Sequence, residues 1–441
     1  MNKRKSWILV IVGLLSLILL SGMLFYTFRS LEQKDMTKQG AEELTLTEIE
    51  TAGDKESASA GPSTGNTSAG DQPAPALGED TAAASASPSP AATDPTSPSP
   101  VTADQASSSP ASVDTSTATS APEPIVLAFA GDINLDEDSK PVARYDRMGQ
   151  GILGCISPEL IEEMTAADIM MLNNEFAYSL RGEEEQNKSY TFRAAPERVG
   201  ILKEMGVDIV SLANNHALDF GMEALLDTFD TLEEAKIDYV GAGVNLDRAK
   251  APIYYNVGDK KIAFVAASRV VFAMDWYATD TRSGMIGTYD PTLLLGVIKE
   301  AKEQSDFVVV YVHWGVERTH TPTDYQKSLA RKYIDAGADA VIGCHPHVLQ
   351  GLEFYQGKPI AYSLGNYWFN NTTREAGLLK LILPPEGGLK VQLLPTLGEN
   401  TYTSLITDQK KRAAYFDFME EISFGVSFDE DGYATEANPS E

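Results

Sequence analysis

The stretch DFVVVYVHWG, residues 306–315, contains an unbroken apolar run from Phe307 to Val312, followed by a histidine, a tryptophan and a glycine. Valine, phenylalanine and tyrosine favour β-strands, and a strand that is apolar on both faces belongs inside a sheet covered by helices. A lone histidine at the end of such a strand is either a hydrogen-bonded core group or a ligand. The stretch therefore predicts a buried strand whose C-terminal end carries His313.

Similar apolar stretches lie on both sides of this one, and segments with helical patterns separate them. The stretches are IVLAFAG (125–131), DIMMLNN (168–174), VDIVSLAN (207–214), KIAFVAAS (261–268) and ADAVIG (338–343). The helical patterns cover residues 158–167, 196–205, 222–235, 291–304 and 324–336. After residue 351 the pattern changes to strands joined by turns, as in antiparallel sheets. This order predicts a mixed α/β domain with its layers arranged α/β/β/α.

Each apolar stretch ends in polar residues. The polar ends are AGDINLD (130–136), NNEFAYS (173–179), ANNH (213–216), HWGVE (313–317) and GCHPH (343–347). In open α/β sheets the C-terminal ends of the strands meet at one edge, and ligands bind there. Carboxylate, amide and imidazole groups are the ligand set of divalent ions such as Mn, Fe or Zn. The pattern therefore predicts a metal site at this edge.

Taken singly, these residues have ordinary structural explanations. Asp132 could be a helix cap or a turn residue, and Glu175 could be an exposed acid of a loop. His345 and His347 stand two apart, which places them on the same side of an extended segment and favours metal binding. Three charged residues either bind an anionic substrate or form surface ion pairs: Arg269, Glu317 and Arg318.

The first 30 residues predict a membrane anchor. Basic residues at positions 3–5 precede an uncharged run at 7–28, and about 20 apolar residues are needed to cross a bilayer core. The run lacks a small-x-small cleavage site and a following cysteine, so an uncleaved signal anchor is favoured over a cleaved signal peptide or a lipoprotein anchor. Because the basic residues precede the span, we expect a single-pass protein of the cell membrane with a cytoplasmic N-terminus and an extracytoplasmic main domain.

Residues 31–124 predict a disordered stalk. From about residue 51 onward the segment consists almost entirely of Ser, Ala, Thr, Pro, Gly and Asp, and it has no aromatic residue. Such a composition cannot bury enough apolar surface to offset the entropy of the chain. The stalk would connect the anchor to a domain at 125–400, and residues 401–441 would form a C-terminal extension with an acidic tail.

The charge and the cysteines limit the choice of partners and compartment. The chain has 35 basic and 63 acidic residues, a formal net charge of -28 at pH 7. Nucleic acids and anionic membrane surfaces would be repelled, so neither is expected as a general partner. Cys155 and Cys344 are the only cysteines. An exported domain permits a disulfide between them, and at Cys344 a packed thiol is favoured over a metal ligand.

The block from about 125 to 369 resembles the poly-γ-glutamate capsule synthesis family, the CapA-type proteins. The motifs that carry the resemblance are, in order, AGDINL (130–135), NNE (173–175), SLANNHALDFG (211–221), HWGVE (313–317), GADAVIGCHPHVLQGLE (337–353) and YSLGNYWF (362–369). That family is in turn similar to the calcineurin-like metallophosphoesterases. The resemblance implies a four-layer α/β/β/α sandwich with a two-metal site on loops at the strand ends.

The resemblance also implies roles for the matched residues. The ligands of two divalent metal ions would be Asp132, Asn134, Glu175, Asn215, His313, His345 and His347. Glu175 stands where metallophosphoesterases have a bridging aspartate, and Asn134 stands where they have a histidine. The first ion would therefore bind loosely, exchange readily or be missing. His216 would be the acid that protonates a leaving group, or it would contact the phosphoryl-like oxygen of the substrate. The residues expected around the substrate are Asn214, Arg269, Glu317 and Asn366.

The function implied by the resemblance is synthesis or export of a poly-γ-glutamate capsule, or of another cell-envelope polymer, together with membrane-bound synthase subunits. One alternative is a metal-dependent phosphoesterase or amide hydrolase acting on cell-envelope molecules, because two cations lower the pKa of a bound water and stabilise developing negative charge. A second alternative, a wall-associated sensor or adhesion module, rests on the stalk. Similarity of fold does not by itself establish catalysis, so enzymatic activity stays open.

Overall fold

Two β-sheets form the framework of the domain. The computed structural model describes residues 123–370 and 372–437. The strands are β1 Ile125–Ile133, β2 Ile169–Asn174, β3 Ala177–Tyr178, β4 Arg193–Ala194, β5 Ile209–Ser211, β6 Asp238–Val240, β7 Ala242–Gly243, β8 Ile253–Val257, β9 Lys260–Ser268, β10 Gly284–Met285, β11 Phe307–His313, β12 Ala340–Cys344, β13 Leu349–Tyr355, β14 Lys358–Leu364, β15 Asn366–Trp368, β16 Arg374–Leu383, β17 Lys390–Glu399, β18 Tyr402–Leu405, β19 Val426–Phe428 and β20 Tyr433–Glu436. The α-helices are α1 Lys140–Met148, α2 Pro158–Thr165, α3 Val199–Glu204, α4 Gly221–Ala235, α5 Leu246–Lys250, α6 Thr292–Gln304, α7 Asp324–Asp335 and α8 Gln409–Ile422.

The first sheet has ten strands, with β1 near its middle. On one side of β1 lie the parallel strands β2, β5 and β6. On the other side the strands are antiparallel, in the order β16, β17, β20 and β19. Strand β18 also pairs with β17, so the segment predicted as a C-terminal extension completes this sheet.

The second sheet has six strands in the order β13-β14-β12-β11-β9-β8. Its central strands β9, β11, β12 and β14 are parallel, and the outer strands are antiparallel to their neighbours. Every residue of β11 is buried. The structure therefore confirms the buried strand predicted from residues 306–315.

The side chains of β11 alternate between two apolar clusters. Val309 and Tyr311 pack in one cluster with Phe129 of β1, so this face of the second sheet meets the first sheet. The Tyr311 hydroxyl donates a hydrogen bond of 2.7 Å to the Ala130 carbonyl of β1. Val308, Val310 and Val312 pack in the second cluster with residues of α6 and α7. This packing confirms the mixed α/β class.

The predicted anchor and most of the predicted stalk, residues 1–122, lie outside the described residues. Within the part of the chain that the structure does describe, no helix combines the length and the apolar character that crossing a membrane requires. Signal anchor, stalk and compartment therefore stay predictions.

Helix α7, which flanks β11, begins with a side-chain cap. Thr323 accepts a hydrogen bond from the Gln326 backbone N–H, and the Gln326 side chain accepts one from the Thr323 N–H. Replacing Thr323 by alanine exposes unpaired N–H groups at the helix start, so we expect the free energy of unfolding to fall by about 1 kcal/mol in a denaturant titration. The control Thr281→Ala, in an exposed turn, should change it by less than about 0.5 kcal/mol. Equal effects of the two substitutions would contradict the cap.

Candidate functional site

The C-terminal ends of strands from both sheets meet at one edge of the domain. Asp132, near the end of β1, is paired with Asn173 of β2 and Asn366 of β15. Its backbone N–H donates to the Gly365 carbonyl at 3.1 Å. From the second sheet, the backbone N–H of His345 donates to the Asp132 carboxylate at 3.2 Å. The structure thus joins motifs that are more than 200 residues apart in the chain.

Glu175 occupies the centre of the site. One carboxylate oxygen, Oε1, lies 3.8 Å from Nε2 of His313 and 3.9 Å from Nε2 of both His216 and His347. This oxygen is buried and has no hydrogen-bond partner among the described residues. The other oxygen, Oε2, accepts a hydrogen bond of 3.2 Å from the Asn173 amide. A buried carboxylate oxygen without a partner is unfavourable, and a bound cation would satisfy it.

Asp132 and His347 form a second contact within the site. The Asp132 Oδ2 atom lies 3.4 Å from Nδ1 of His347, and Oδ1 accepts a hydrogen bond of 2.8 Å from the Asn173 amide. Burial opposes ionisation of Asp132, but the hydrogen bond and charge of His347 outweigh it, so the pKa of Asp132 is lowered. The Asn366 amide oxygen contacts His347 Nδ1 at 2.7 Å and fixes the orientation of the ring.

His313 lies between an amide and a thiol. Its Nε2 atom is 2.8 Å from the Asn215 side-chain oxygen, and its Nδ1 atom is 3.3 Å from the Cys344 sulfur. Cys344 and Cys155 are both buried free thiols, so no disulfide joins them. Burial, followed by the charge of Asp132, raises the pKa of the Cys344 thiol well above its usual value. The thiol nevertheless stands within reach of the metal-ligand cluster.

In the part of the chain that the structure describes, two groups of side chains have ligand atoms within 4.8 Å of one another and so could each hold a metal ion. The groups are Asp132 with His313 and Cys344, and Glu175 with His345 and His347. The division differs from the predicted one, in which His347 shares an ion with Asp132 and His313 shares one with His345. The cluster brings together the predicted carboxylate and imidazole ligands and adds Cys344, which the sequence did not favour.

Burial keeps most of these imidazoles neutral. It lowers the pKa of His216 and His345 to about 4 and that of His313 well below its usual value. A neutral imidazole has a free lone pair, which is the form that binds a metal ion. His345 Nδ1 is also buried without a hydrogen-bond partner among the described residues. Burial, followed by the charge of Asp132, raises the pKa of Glu175 well above its usual value.

His345 and His347 lie in a turn. The prediction that an extended segment places both side chains on the same side was therefore wrong. The φ angles of the two residues are +95° and +57°, in the left-handed region that non-glycine residues seldom adopt. The rings still approach each other, with centroids 5.8 Å apart, and the His345 ring lies 4.6 Å from that of His313. Backbone strain of this kind is found most often at functional sites.

His216 is held by Asp219, which lies in the same SLANNHALDFG motif, and by two residues that the sequence did not single out, Lys188 and Phe192. Its Nδ1 atom is 2.6 Å from the Asp219 carboxylate, and its Nε2 atom faces Glu175. Lys188, from the segment between β3 and β4, contacts the Asp219 carboxylate and the Asn215 carbonyl. The Phe192 ring packs on the His216 ring with centroids 4.3 Å apart. Nothing in the local sequence around Lys188 or Phe192 indicates these contacts, because both residues reach the site through the fold.

A cleft of about 400 Å³ opens over His216 and His347. The predicted residues Asn134, Glu317 and Asn366 line it. Further lining residues are Asp136, Asp138, Ser139, Lys140, Tyr190, Phe192, Arg318, Phe369, Asn370, Thr372 and Arg374. A cleft over a cluster of histidines and carboxylates gives a ligand direct access to the cluster.

Two of the residues expected around the substrate are not among those that line the cleft. The amide nitrogen of Asn214 donates hydrogen bonds to the Asn173 side chain and the Asn174 carbonyl. The Arg269 guanidinium donates to the Thr288 and Tyr289 carbonyls. Both side chains therefore stabilise neighbouring segments of the site through hydrogen bonds.

The fold and the cluster define a mixed α/β protein with a buried site suited to divalent metal ions. Residues 126–371 match the family described as "Bacterial capsule synthesis protein PGA_cap". The chain belongs to this family, as the sequence motifs predicted.

Several curated relatives have names that refer to polyglutamate or capsule synthesis. The PGA biosynthesis protein CapA of Bacillus subtilis is 36% identical over 216 residues, which are 48% of this chain and 56% of that protein. The capsule biosynthesis protein CapA of Bacillus anthracis is 33% identical over 251 residues, 55% of this chain and 61% of that protein. A probable polyglutamine synthesis accessory protein of Mycobacterium tuberculosis is 32% identical and is matched over 56% of its length. The chain thus spans roughly three fifths of each relative.

Solved structures give weaker matches. A hypothetical protein from Thermus thermophilus aligns with a TM-score of 0.37 and 17% identity over 61% of this chain and 99% of that one. A putative 5'-nucleotidase from Staphylococcus aureus aligns with a TM-score of 0.36 and 15% identity over 60% of this chain and 55% of that one. The NAD nucleotidase of Haemophilus influenzae aligns with a TM-score of 0.39 and 11% identity over 70% of this chain and 64% of that one.

Proposed function

We propose that this protein is a membrane-anchored, extracytoplasmic component of poly-γ-glutamate capsule synthesis or export, with a metallophosphoesterase-like two-metal centre in an α/β/β/α sandwich. The observation that carries the proposal is the Glu175 Oε1 atom, a buried carboxylate oxygen with no hydrogen-bond partner among the described residues and three imidazole nitrogens around it. Membership of the capsule synthesis family supplies the biological context.

The donor set fits divalent metal ions. The unpartnered Glu175 Oε1 and His345 Nδ1 atoms are buried lone-pair donors in one cluster, and an ion would satisfy both. The residues that would hold two ions, Mn, Fe or Zn, are Asp132, Asn134, Glu175, Asn215, His313, His345 and His347. Such ions, when bound, polarise a substrate oxygen and offset its negative charge.

The residues of the chain itself would orient and enclose the ligand. Asp219 accepts from Nδ1 of His216, so Nε2 points toward Glu175 and the cleft. The Phe192 and Phe369 rings pack on His216 and His347 and exclude water from one side of each imidazole. Glu317 and Asn366 line the cleft where a ligand would lie.

A second candidate function, metal-dependent hydrolysis of a phosphoester or amide bond in the cell envelope, is favoured by the His216–Asp219 contact. A carboxylate on Nδ1 leaves Nε2 as the atom that exchanges a proton with a ligand in the cleft. Because burial keeps His216 neutral, its Nε2 atom would first accept a proton from an attacking water and would then donate that proton to the leaving group. A protein that only binds the polymer has no need of an imidazole oriented in this way.

The proposed partners are the polymer, membrane-bound synthase subunits and the membrane that holds the N-terminal segment. Deleting the gene in its own host is expected to remove γ-linked polyglutamate from the cell surface, measured as glutamate released by acid hydrolysis of purified surface polymer. A plasmid copy should restore the polymer, and a Glu175→Gln copy made in equal amount should not, because the neutral amide weakens cation binding. A deletion strain with unchanged polymer would contradict the capsule role.

A further inference from the structure

Two arginines of the cleft form no salt bridge with any residue that the structure describes. Arg318 and Arg374 both line the cleft over His216 and His347. Neither guanidinium forms an ion pair or a side-chain hydrogen bond with another residue in 123–370 or 372–437. Among the described residues, some of the other arginines are paired with carboxylates, among them Arg181, Arg198 and Arg331. Others donate to backbone carbonyls, among them Arg144, Arg248 and Arg412. In a chain with 63 acidic and 35 basic residues, two neighbouring unpaired arginines require an explanation.

The two arginines are fixed by ordered backbone. Arg374 begins β16 and is paired with Gly398 of β17. Arg318 follows β11, and its backbone N–H donates to the Pro346 carbonyl at 2.8 Å, between the two histidines of the 345–347 turn. Its φ angle of +60° lies in the left-handed region. The turn that presents the histidines therefore also positions Arg318.

The two positive charges are close enough to affect each other. The pKa of Arg374 is lowered, first by burial and then by the positive charge of Arg318, while Glu317 acts in the opposite direction. Two guanidinium groups that repel each other, and whose charge a single nearby carboxylate offsets only in part, are stabilised when an anion binds between them. Arg374 is also partly buried, which strengthens its interaction with an anion relative to an arginine in open solvent.

Glu317, which also lines the cleft, attracts Arg374, but it forms no ion pair with either arginine among the described residues. Asp136 accepts hydrogen bonds from the backbone N–H groups of Arg193 and Asp138, so its carboxylate is already engaged. Arg374 additionally lines an adjacent cavity of about 410 Å³. It thus stands where two cavities meet, as a contact point for a ligand longer than the cleft itself.

We propose that Arg318 and Arg374 form an oxyanion-binding subsite at the rim of the cleft, which receives a carboxylate or phosphate group of the molecule that enters it. Guanidinium groups bind both kinds of oxyanion through paired N–H donors. In the poly-γ-glutamate chain a free carboxylate recurs at every residue, so a bound segment would present one to the pair. The choice of this polymer rests on the proposed function, whereas the subsite itself does not.

Calorimetric titration of the full-length protein in chelator-containing buffer tests the subsite without any contribution from bound metal. The probes are a γ-linked glutamate decamer, the same decamer with its α-carboxylates converted to amides, and inorganic phosphate. We expect the wild type to bind the carboxylate decamer, and the amide decamer to bind about tenfold more weakly or worse. Arg318→Gln and Arg374→Gln together should weaken binding of the carboxylate decamer by about tenfold or more.

The matched control is Arg147→Gln, an exposed arginine that does not line the cleft. It changes the net charge by the same amount as each single variant and should leave the affinity unchanged. Because Arg374 lies at a strand end, the exposed Arg318→Gln variant is measured separately and should show part of the loss with an unchanged unfolding midpoint. Wild-type affinity in the double variant, or equal affinity for the acid and amide decamers, would overturn the subsite.

The titration with inorganic phosphate shows whether the subsite prefers a phosphate or a carboxylate group. Phosphate binding that depends on both arginines, with no binding of the carboxylate decamer, supports the subsite and assigns it to a phosphate-bearing ligand. With that result the subsite would stand, but the proposed capsule role would lose its support from this site, because the polymer would not bind there. Binding of neither carboxylate nor phosphate by the wild type would overturn the proposal.

Discussion

Replacing both His345 and His347 by alanine is expected to abolish divalent metal binding by the full-length protein. The wild type, incubated with Mn or Zn and then dialysed, should retain about two ions per chain by elemental analysis. The double variant removes two imidazoles from the group formed with Glu175, and it leaves Asp132 without the His347 contact. Since each divalent ion needs several protein ligands, we expect metal content near zero.

His320→Ala is the matched control for this measurement. His320 is exposed, and its ring contacts the Leu349 carbonyl and Phe418, outside the cluster. This variant should keep the metal content of the wild type. If the wild type bound no metal after incubation with either ion, the proposal of a two-metal centre would be wrong. If the double variant kept its ions, the ligands would have to be sought elsewhere.

Replacing Gly131 by alanine is expected to lower the free energy of unfolding by about 3 kcal/mol. A Cβ atom at this position would lie 2.0 Å from the Gly365 carbonyl oxygen, far inside van der Waals contact. That same carbonyl accepts the hydrogen bond from the Asp132 N–H. Relieving the clash requires β1 and the 365 loop to separate, so the variant should also lose metal. Chemical denaturation and elemental analysis together measure both effects.

Gly296→Ala is a suitable control because it makes the same chemical change without a clash. Gly296 lies in α6, is exposed, and has no atom within 4 Å of an added Cβ. Alanine favours the helix over glycine, so this variant should gain about 0.5–1 kcal/mol. A Gly131→Ala protein as stable as the wild type would show that β1 and the 365 loop can move apart without cost.

The regular framework was predictable because its signals are local. The apolar run at 307–312 is short and rich in valine, which favours a buried strand over a helix, and the helical pattern at 324–336 matches α7 within one residue. Helix α1 was not predicted, since KPVARYDRM has no continuous apolar stripe. It begins instead with the Ser139 cap and ends at Gly149 in the left-handed conformation. The C-terminal strands were missed as part of the first sheet because pairing between distant strands leaves no local pattern.

The candidate site was predictable where chemistry and position along a strand coincide. Asp132, Glu175, His313 and the two histidines of the 345–347 turn all follow apolar strands, and the fold brings them together. Lys188 and Arg374 were not predicted, because a charged residue in a polar loop or at a strand edge looks the same whether it faces a cleft or solvent. Only the tertiary structure distinguishes those two environments.

The pairing of β1 with β16 has a consequence for how the protein is made. Strand β1 of the first sheet, at 125–133, pairs in antiparallel orientation with β16, at 374–383. The ribosome synthesises β16 only after most of the domain. Contacts between such distant segments slow folding and leave intermediates exposed. A growing chain therefore cannot close this sheet early. The first sheet stays incomplete for much of the synthesis of the chain. A polypeptide in that incompletely folded state can be threaded through a narrow channel before it folds.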